Sequence, residues 1–199
     1  MIKLIIFDFD GVIIDNYELH YELMEKKISN LTREEHRKMF EGNIHVEMKK
    51  LKHRETEFDF KTPFCETKIK TKIKKEIKEV LEKLSKEYKL GIISSAREYS
   101  IEGCLDTSKM SGLFSFIYGR ETHKIKVDKF EKVLREKNLK AEECLFVTDT
   151  LGDILEANKV GIKTIAVDFG YHEKERLQKG NPMKIISNFN ELISVVEKG

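Results

Sequence analysis

The chain has 199 residues, which at roughly 150 residues per domain is one domain, or one domain with an insertion, enough to fold without a disulfide or structural metal. Lys and Arg number 37 against 35 Asp and Glu, a net charge of +2, so the charge is high but balanced, unlike the one-signed tail of a nucleic-acid binder. A hydrophobic fraction of 40% argues against disorder, and no apolar run approaches the 18 or so residues of a membrane span.

The first predicted strand is Lys3-Leu4-Ile5-Ile6-Phe7, an apolar run that meets Asp8 and Asp10. The opening MIKLIIFDFDG is too short and too acidic for a signal peptide. From Tyr17 to about Cys65 the chain has helical periodicity and no convincing strand. Three helices are predicted there: Tyr17 to Ile28, Thr32 to Phe40 and Val46 to Leu51, the second opened by a capping box of Thr32 and Glu35. Beyond it, Ile77, Val80, Leu84 and Tyr88 recur at helical spacing. Short apolar runs then alternate with amphipathic stretches. LGII ends in Ser94-Ser95, SFIY ends at Gly119, CLFV ends in Thr148-Asp149, KTIAV follows, and Lys184 to Ile186 is a sixth run. Val127, Phe130 and Leu134 mark a helix before the fourth run, Ile154, Ala157 and Val160 one after it, and Asn190 to Val196 closes the chain. Runs apolar on both faces, alternating with helices, predict an α/β fold with a parallel sheet covered on both sides. The stretch 16–65 is then a helical insertion into a core formed by 1–15 and 66–199.

Cys65, Cys104 and Cys144 are odd in number and lack CxxC spacing, so they read as buried reduced thiols of a cytoplasmic protein. Lysine richness with a single Gln, Gln178, fits a hyperthermophile composition and equally an AT-rich genome.

Polar residues gather where the predicted strands end, which is where ligands bind in such folds. Asp8 and Asp10, two apart in extended chain, share one face, while Phe9 points into the core and Gly11 permits a sharp turn. Asp149 ends the fourth strand, and Asp153 lies one helical turn on. Four carboxylates at one edge repel one another unless a hard divalent cation such as Mg²⁺ joins them. With the Ser94 hydroxyl and the Lys124 ammonium at the same edge, this is a phosphate site.

The segments IIFDFDGVIID, LGIISSA, THKIKVDKF and LFVTDTLGDILEA, in that order, resemble the haloacid dehalogenase-like (HAD) superfamily. The text from Val160 to Leu192 resembles its phosphoglycolate phosphatase-like branch. The likeness covers residues 2–14 and about 72–196, and it implies a Rossmannoid core with a small helical cap after the first strand. Asp8 would be the nucleophile that forms an aspartyl-phosphate, and Asp10 the acid and then base. Ser94 and Ser95 would meet the phosphoryl group, and Lys124 would neutralise it. Mg²⁺ would be held by Asp8, the Asp10 carbonyl and Asp149, with Asp153 supporting that shell. Two departures stand out. Thr148 replaces the usual Gly, and the lysine motif lacks both prolines, which leaves Lys126 as a rival to Lys124.

Each feature has a plainer reading. Ser95 could cap the next helix, and Asp149 and Asp153 could be N-cap and first-turn residues. The basic cluster Lys68, Lys70, Lys72, Lys74, Lys75 and Lys78 reads as a solvated face. His20, His45 and Arg54 lie in the insertion and could face substrate, with surface placement the default, and His172 reads as structural. The expected activity is Mg²⁺-dependent hydrolysis of a small phosphate monoester, with a phosphorylated metabolite as partner, no nucleic acid or membrane, and a monomer ahead of a dimer. A sugar phosphomutase and a non-catalytic binding protein are the alternatives.

Overall fold

The structure is a computed structural model and describes residues 1–197. All six predicted strands form, as β1 (Leu4–Phe7), β2 (Lys89–Ile93), β3 (Ile117–Tyr118), β4 (Cys144–Thr148), β5 (Lys163–Val167) and β6 (Lys184–Ile186). They pair in parallel in the order β3-β2-β1-β4-β5-β6. The chain winds outward from β1 to β3, then returns to place β4 on the other side of β1, so the order reverses at β1 and β4. Phe7 is level with Ile92 and Val147 across the three central strands. The residues that follow these strands therefore leave the sheet at one edge.

Alternation along the strands builds a core on each face. Ile5, Phe7, Ile92 and Val147 face α5 (Lys75–Leu84), α6 (Glu98–Thr107) and α10 (Glu191–Glu197). Leu4, Ile6, Ile93 and Phe146 face α7 (Lys126–Lys137) and α8 (Leu151–Lys159). Helix α9 (Lys174–Leu177) adds Leu177 to a small cluster with Ile154 and Ala166. Helix α6, the helix expected after Ser95, buries a short apolar face of Ile101, Cys104 and Leu105.

Between β1 and α5 lie α1 (Tyr17–Lys27), α2 (Arg33–Lys38), α3 (Ile44–Lys50) and α4 (Lys61–Lys70). This segment has its own small core of Met24, Ile28, Leu31 and Met39. The Thr32–Glu35 capping box opens α2. Position 65 lies inside α4, which packs against α6. The lysine cluster is not one solvated face: α4 ends at Lys70, α5 begins at Lys75, and Lys68, in the last turn of α4, is 1% exposed. All three cysteines are buried free thiols. Among the described residues no helix is long and apolar enough to cross a membrane.

The helical segment rests directly on the sheet edge. The Gly152 N–H, at the start of α8, donates to the Phe40 carbonyl at 2.9 Å. A Cβ at Gly152 would lie 2.4 Å from the Gly42 carbonyl oxygen, so only glycine admits this approach. His172 accepts from Leu151 N–H through Nδ1, so its Nε2 carries the proton and donates to the Arg37 carbonyl at 2.9 Å. Arg176 pairs with Glu34 at 2.9 Å across the same seam.

Candidate active site

Asp8 continues the β1 ladder, its N–H donating to the Val147 carbonyl at 2.9 Å. Its side chain is fully constrained: Oδ1 accepts the Phe9 N–H at 2.7 Å and Oδ2 accepts Lys126 Nζ at 2.8 Å. Gly11 then turns the chain with φ +76°, and a Cβ there would lie 1.9 Å from Asp149 Oδ2. Asp10, partly exposed, takes both its oxygens to Lys68 Nζ at 2.7 Å. Its Oδ1 also accepts the Asn16 amide at 2.6 Å. Asn16 in turn accepts the Tyr171 hydroxyl at 3.3 Å, and the Tyr171 N–H donates to Asp149 Oδ2 at 2.7 Å. One chain of hydrogen bonds thus runs from Asp149 to Lys68.

The lysine beside Asp8 is Lys126, not Lys124. Lys126 Nζ lies 2.8 Å from Asp8 and 2.7 Å from Asp153, and is 2% exposed. Lys124 is exposed in the preceding turn, where its carbonyl accepts from Asn43. The reason is helical register. Lys126, Lys129, Phe130 and Val133 form the buried stripe of α7, and a residue two places before the helix begins is outside that stripe.

Ser94 is buried at the end of β2, its N–H donating to the Tyr118 carbonyl at 3.0 Å and its hydroxyl accepting Ala96 N–H at 3.2 Å. Lys129 Nζ donates to its carbonyl. Ser95 stands beside it on the wall of the same cavity and does not cap α6, whose N-cap is Arg97. Thr150, not Asp149, caps α8, accepting Asp153 N–H. Thr148, in the place of the family's glycine, donates its hydroxyl to Asp153 Oδ2 at 2.8 Å.

Asp8, Asp149 and Asp153 each bring a carboxylate oxygen within 4.8 Å of the others. Burial, then the Asp8 charge, pushes Asp149 well above the usual carboxylate range. Burial likewise pushes Asp8 up to about 7 against the pull of Lys126. Burial would raise Asp153 too, but Lys126 outweighs it and holds Asp153 below its ordinary value. Burial would lower Lys126, yet Asp153 and Asp8 raise it on balance, so it stays charged. Asp149 Oδ1 is buried without a hydrogen-bond partner. An orphaned carboxylate oxygen beside two further carboxylates is the donor set of a hard divalent cation.

A family profile described as "Haloacid dehalogenase-like hydrolase" matches residues 5–167. The chain belongs to the haloacid dehalogenase-like hydrolases. A phosphoglycolate phosphatase of Aquifex aeolicus is 29% identical over 98% of this chain and 97% of its own. A Caldanaerobacter subterraneus protein named as a pyrophosphatase is 30% identical over 64% of this chain, a match that spans 60% of that relative. A solved hydrolase from Pseudomonas syringae superposes with TM-score 0.83 over 98% of both chains at 16% identity, a likeness of fold.

Within this HAD site, Lys68, Asn16 and Tyr171 escape the sequence reading. Lys68 carried a usable signal: it is four residues from the apolar Phe64 and three from Cys65, on the buried face of α4. For Asn16 and Tyr171 no spacing gives the contact, since the two are 155 residues apart. His20 and His172, read as surface or structural, are half-buried and buried respectively, His20 on the cavity wall and His172 in the seam.

Proposed function

We propose that this HAD hydrolase is a divalent-metal-dependent phosphatase of a small phosphate monoester, working through an aspartyl-phosphate. The observation that carries it is the clamp on Asp8, a buried carboxylate fixed by Lys126 and the Phe9 N–H in the lining of a cavity. A carboxylate immobilised in this way would be a prepared nucleophile, with Lys126 and a bound cation opposing the effect of burial to keep it ionised. An Asp8 oxygen forms a bond to phosphorus as the bond from phosphorus to the ester oxygen breaks. Asp10 gives its proton to the departing oxygen. Asp10 then takes a proton from water, whose oxygen attacks phosphorus, and phosphate leaves with Asp8 restored. Lys126 balances charge on Asp8 throughout, and the Ser94 hydroxyl stands ready for a phosphoryl oxygen. Asp8, Asp149 and Asp153 would hold the metal, with the Asp10 carbonyl as the family resemblance implies. Mg²⁺ is the ion this oxygen set suits, and when bound it supplies charge neutralisation to the phosphoryl group.

In this reading residues 16–65, which hold α1 to α3 and the first half of α4, are a cap seated over the strand ends, which keeps bulk water from the reaction. The small substrate and the thiol-only cysteines suit the cytoplasm. The test is phosphate release from a panel of esters with Mg²⁺. Asp8→Asn abolishes turnover while its thermal unfolding stays cooperative; full activity in that variant overturns the mechanism.

A further inference from the structure

A cavity of about 620 Å³ lies above Asp8 and Asp10, between the helices that follow β1 and the sheet edge. That is the size of site that encloses a drug-sized ligand. A phosphoryl group with a two-carbon acid, or with a second phosphate, fills only part of it.

The wall nearest the leaving group is aromatic. Lys68 Nζ is 2.7 Å from Asp10 and 4.6 Å from the centre of the Phe64 ring, so that ring stands just behind the acid. Phe60 stacks on Phe64 with centroids 5.1 Å apart and planes at 22°. His20 meets both edge-on, each at 5.0 Å, and Phe40 at 5.5 Å. All four rings line the cavity. The two polar groups set among these rings are already partnered: Lys68 is taken by Asp10, and His20 Nδ1 lies 2.7 Å from His36 Nε2, while Lys61, next to Phe60, is an exposed side chain of the cavity lining. A carboxylate or second phosphate placed against Phe64 and His20 would lose its water without gaining a partner from Lys68 or His20. A flat ring would gain edge-to-face and stacked contacts. Arg120 lines the same cavity and makes no ion pair among the described residues; its planar guanidinium can cover a ring face or meet a polar substituent.

We propose that the substrate's alcohol half carries a flat aromatic or heteroaromatic ring, seated against Phe60, Phe64 and His20 while the phosphoryl group meets Asp8. This rests on the phosphatase reading and narrows it to a substrate class.

The test compares benzyl phosphate with ethyl phosphate, two primary alkyl monoesters that differ by the ring, alongside 2-phosphoglycolate and pyrophosphate, all with Mg²⁺. The expected result is a kcat/KM at least tenfold higher for benzyl phosphate than for the other three. Phe60→Leu and Phe60→Ala each lower the benzyl-to-ethyl ratio at least fivefold. The proposal is overturned if phosphoglycolate or pyrophosphate matches benzyl phosphate, the outcome expected of an anion held by Arg120, or if the ratio is unmoved in both variants. If no ester is hydrolysed, the phosphatase reading fails, and the ring site is judged by calorimetric binding to Asp8→Asn. Tighter binding of benzyl than of ethyl phosphate there upholds it, and equal binding overturns it.

Discussion

Lys68 Nζ lies 2.7 Å from each carboxylate oxygen of Asp10, joining α4 to the turn that follows β1 across 58 positions of sequence. With Asn16 on Oδ1, both oxygens of the proposed acid are already occupied. Asp10 can protonate a leaving group only by giving up part of this contact, so Lys68 sets where the acid waits. Lys68→Met keeps the apolar stem and removes the charge. We expect a 10- to 100-fold fall in kcat for alkyl phosphates. The fall should be much smaller for 4-nitrophenyl phosphate, whose leaving group needs no proton. An equal loss on both esters would show that Lys68 serves packing alone.

The two candidate lysines are separable in the same way. Lys126 is buried against Asp8 and Asp153, whereas Lys124 is exposed. Lys126→Met should cost at least 100-fold in kcat/KM, the scale of removing one preorganised charged donor. Lys124→Ala should stay within twofold of the parent. Steady-state kinetics on both variants checks the assignment, and a reversed order would return the role to Lys124.

The sheet was legible because its signal is local. Each strand is a continuous apolar run, and Asp8, Ser94 and Asp149 follow strand ends directly. Lys126 was harder, because LysIleLys offers two ammonium groups and only the helix start decides between them; the Phe130 stripe fixes it, four residues on. Lys68 was misread because a lysine every second residue looks like solvated surface, although a helix turns only one of them inward. The contacts of Asn16 with Tyr171 and of Gly152 with Phe40 are tertiary, and no periodicity reports them.

Gly152 marks where the helical segment is seated. Its N–H bonds to Phe40 O, and a Cβ would meet two backbone carbonyls, which cannot turn aside as a side chain would. Gly152→Ala should therefore lift the 40–42 turn off α8. We expect a loss of about 1–3 kcal/mol, the range for overpacking a tight contact, and a kcat/KM reduced at least tenfold, since that turn also walls the cavity. Thermal melts and kinetics measured together check this, and parent-like values in both would place the seam elsewhere.

The buried carboxylates give stability a pH dependence that metal should reverse. Asp8 rises to about 7 and Asp149 rises well above its ordinary value, both chiefly through burial. A carboxyl whose folded value is raised favours the folded state at low pH, below its unfolded value of about 3.9. That contribution is lost as the pH climbs through the folded value. Without metal, then, the protein should become less stable as the pH rises from about 4, through Asp8 up to about pH 7 and through Asp149 in the same direction. Asp149→Asn removes one charge and keeps an oxygen for the Tyr171 N–H. In EDTA at pH 8 its Tm should exceed the parent's by several degrees, the equivalent of about 1–3 kcal/mol for an uncompensated buried polar group. Mg²⁺ should raise the Tm of the parent and leave that of Asp149→Asn where it was. Differential scanning calorimetry at pH 5 and pH 8, with and without Mg²⁺, decides the matter: equal Mg²⁺ shifts in the two proteins would mean that Asp149 is not a ligand.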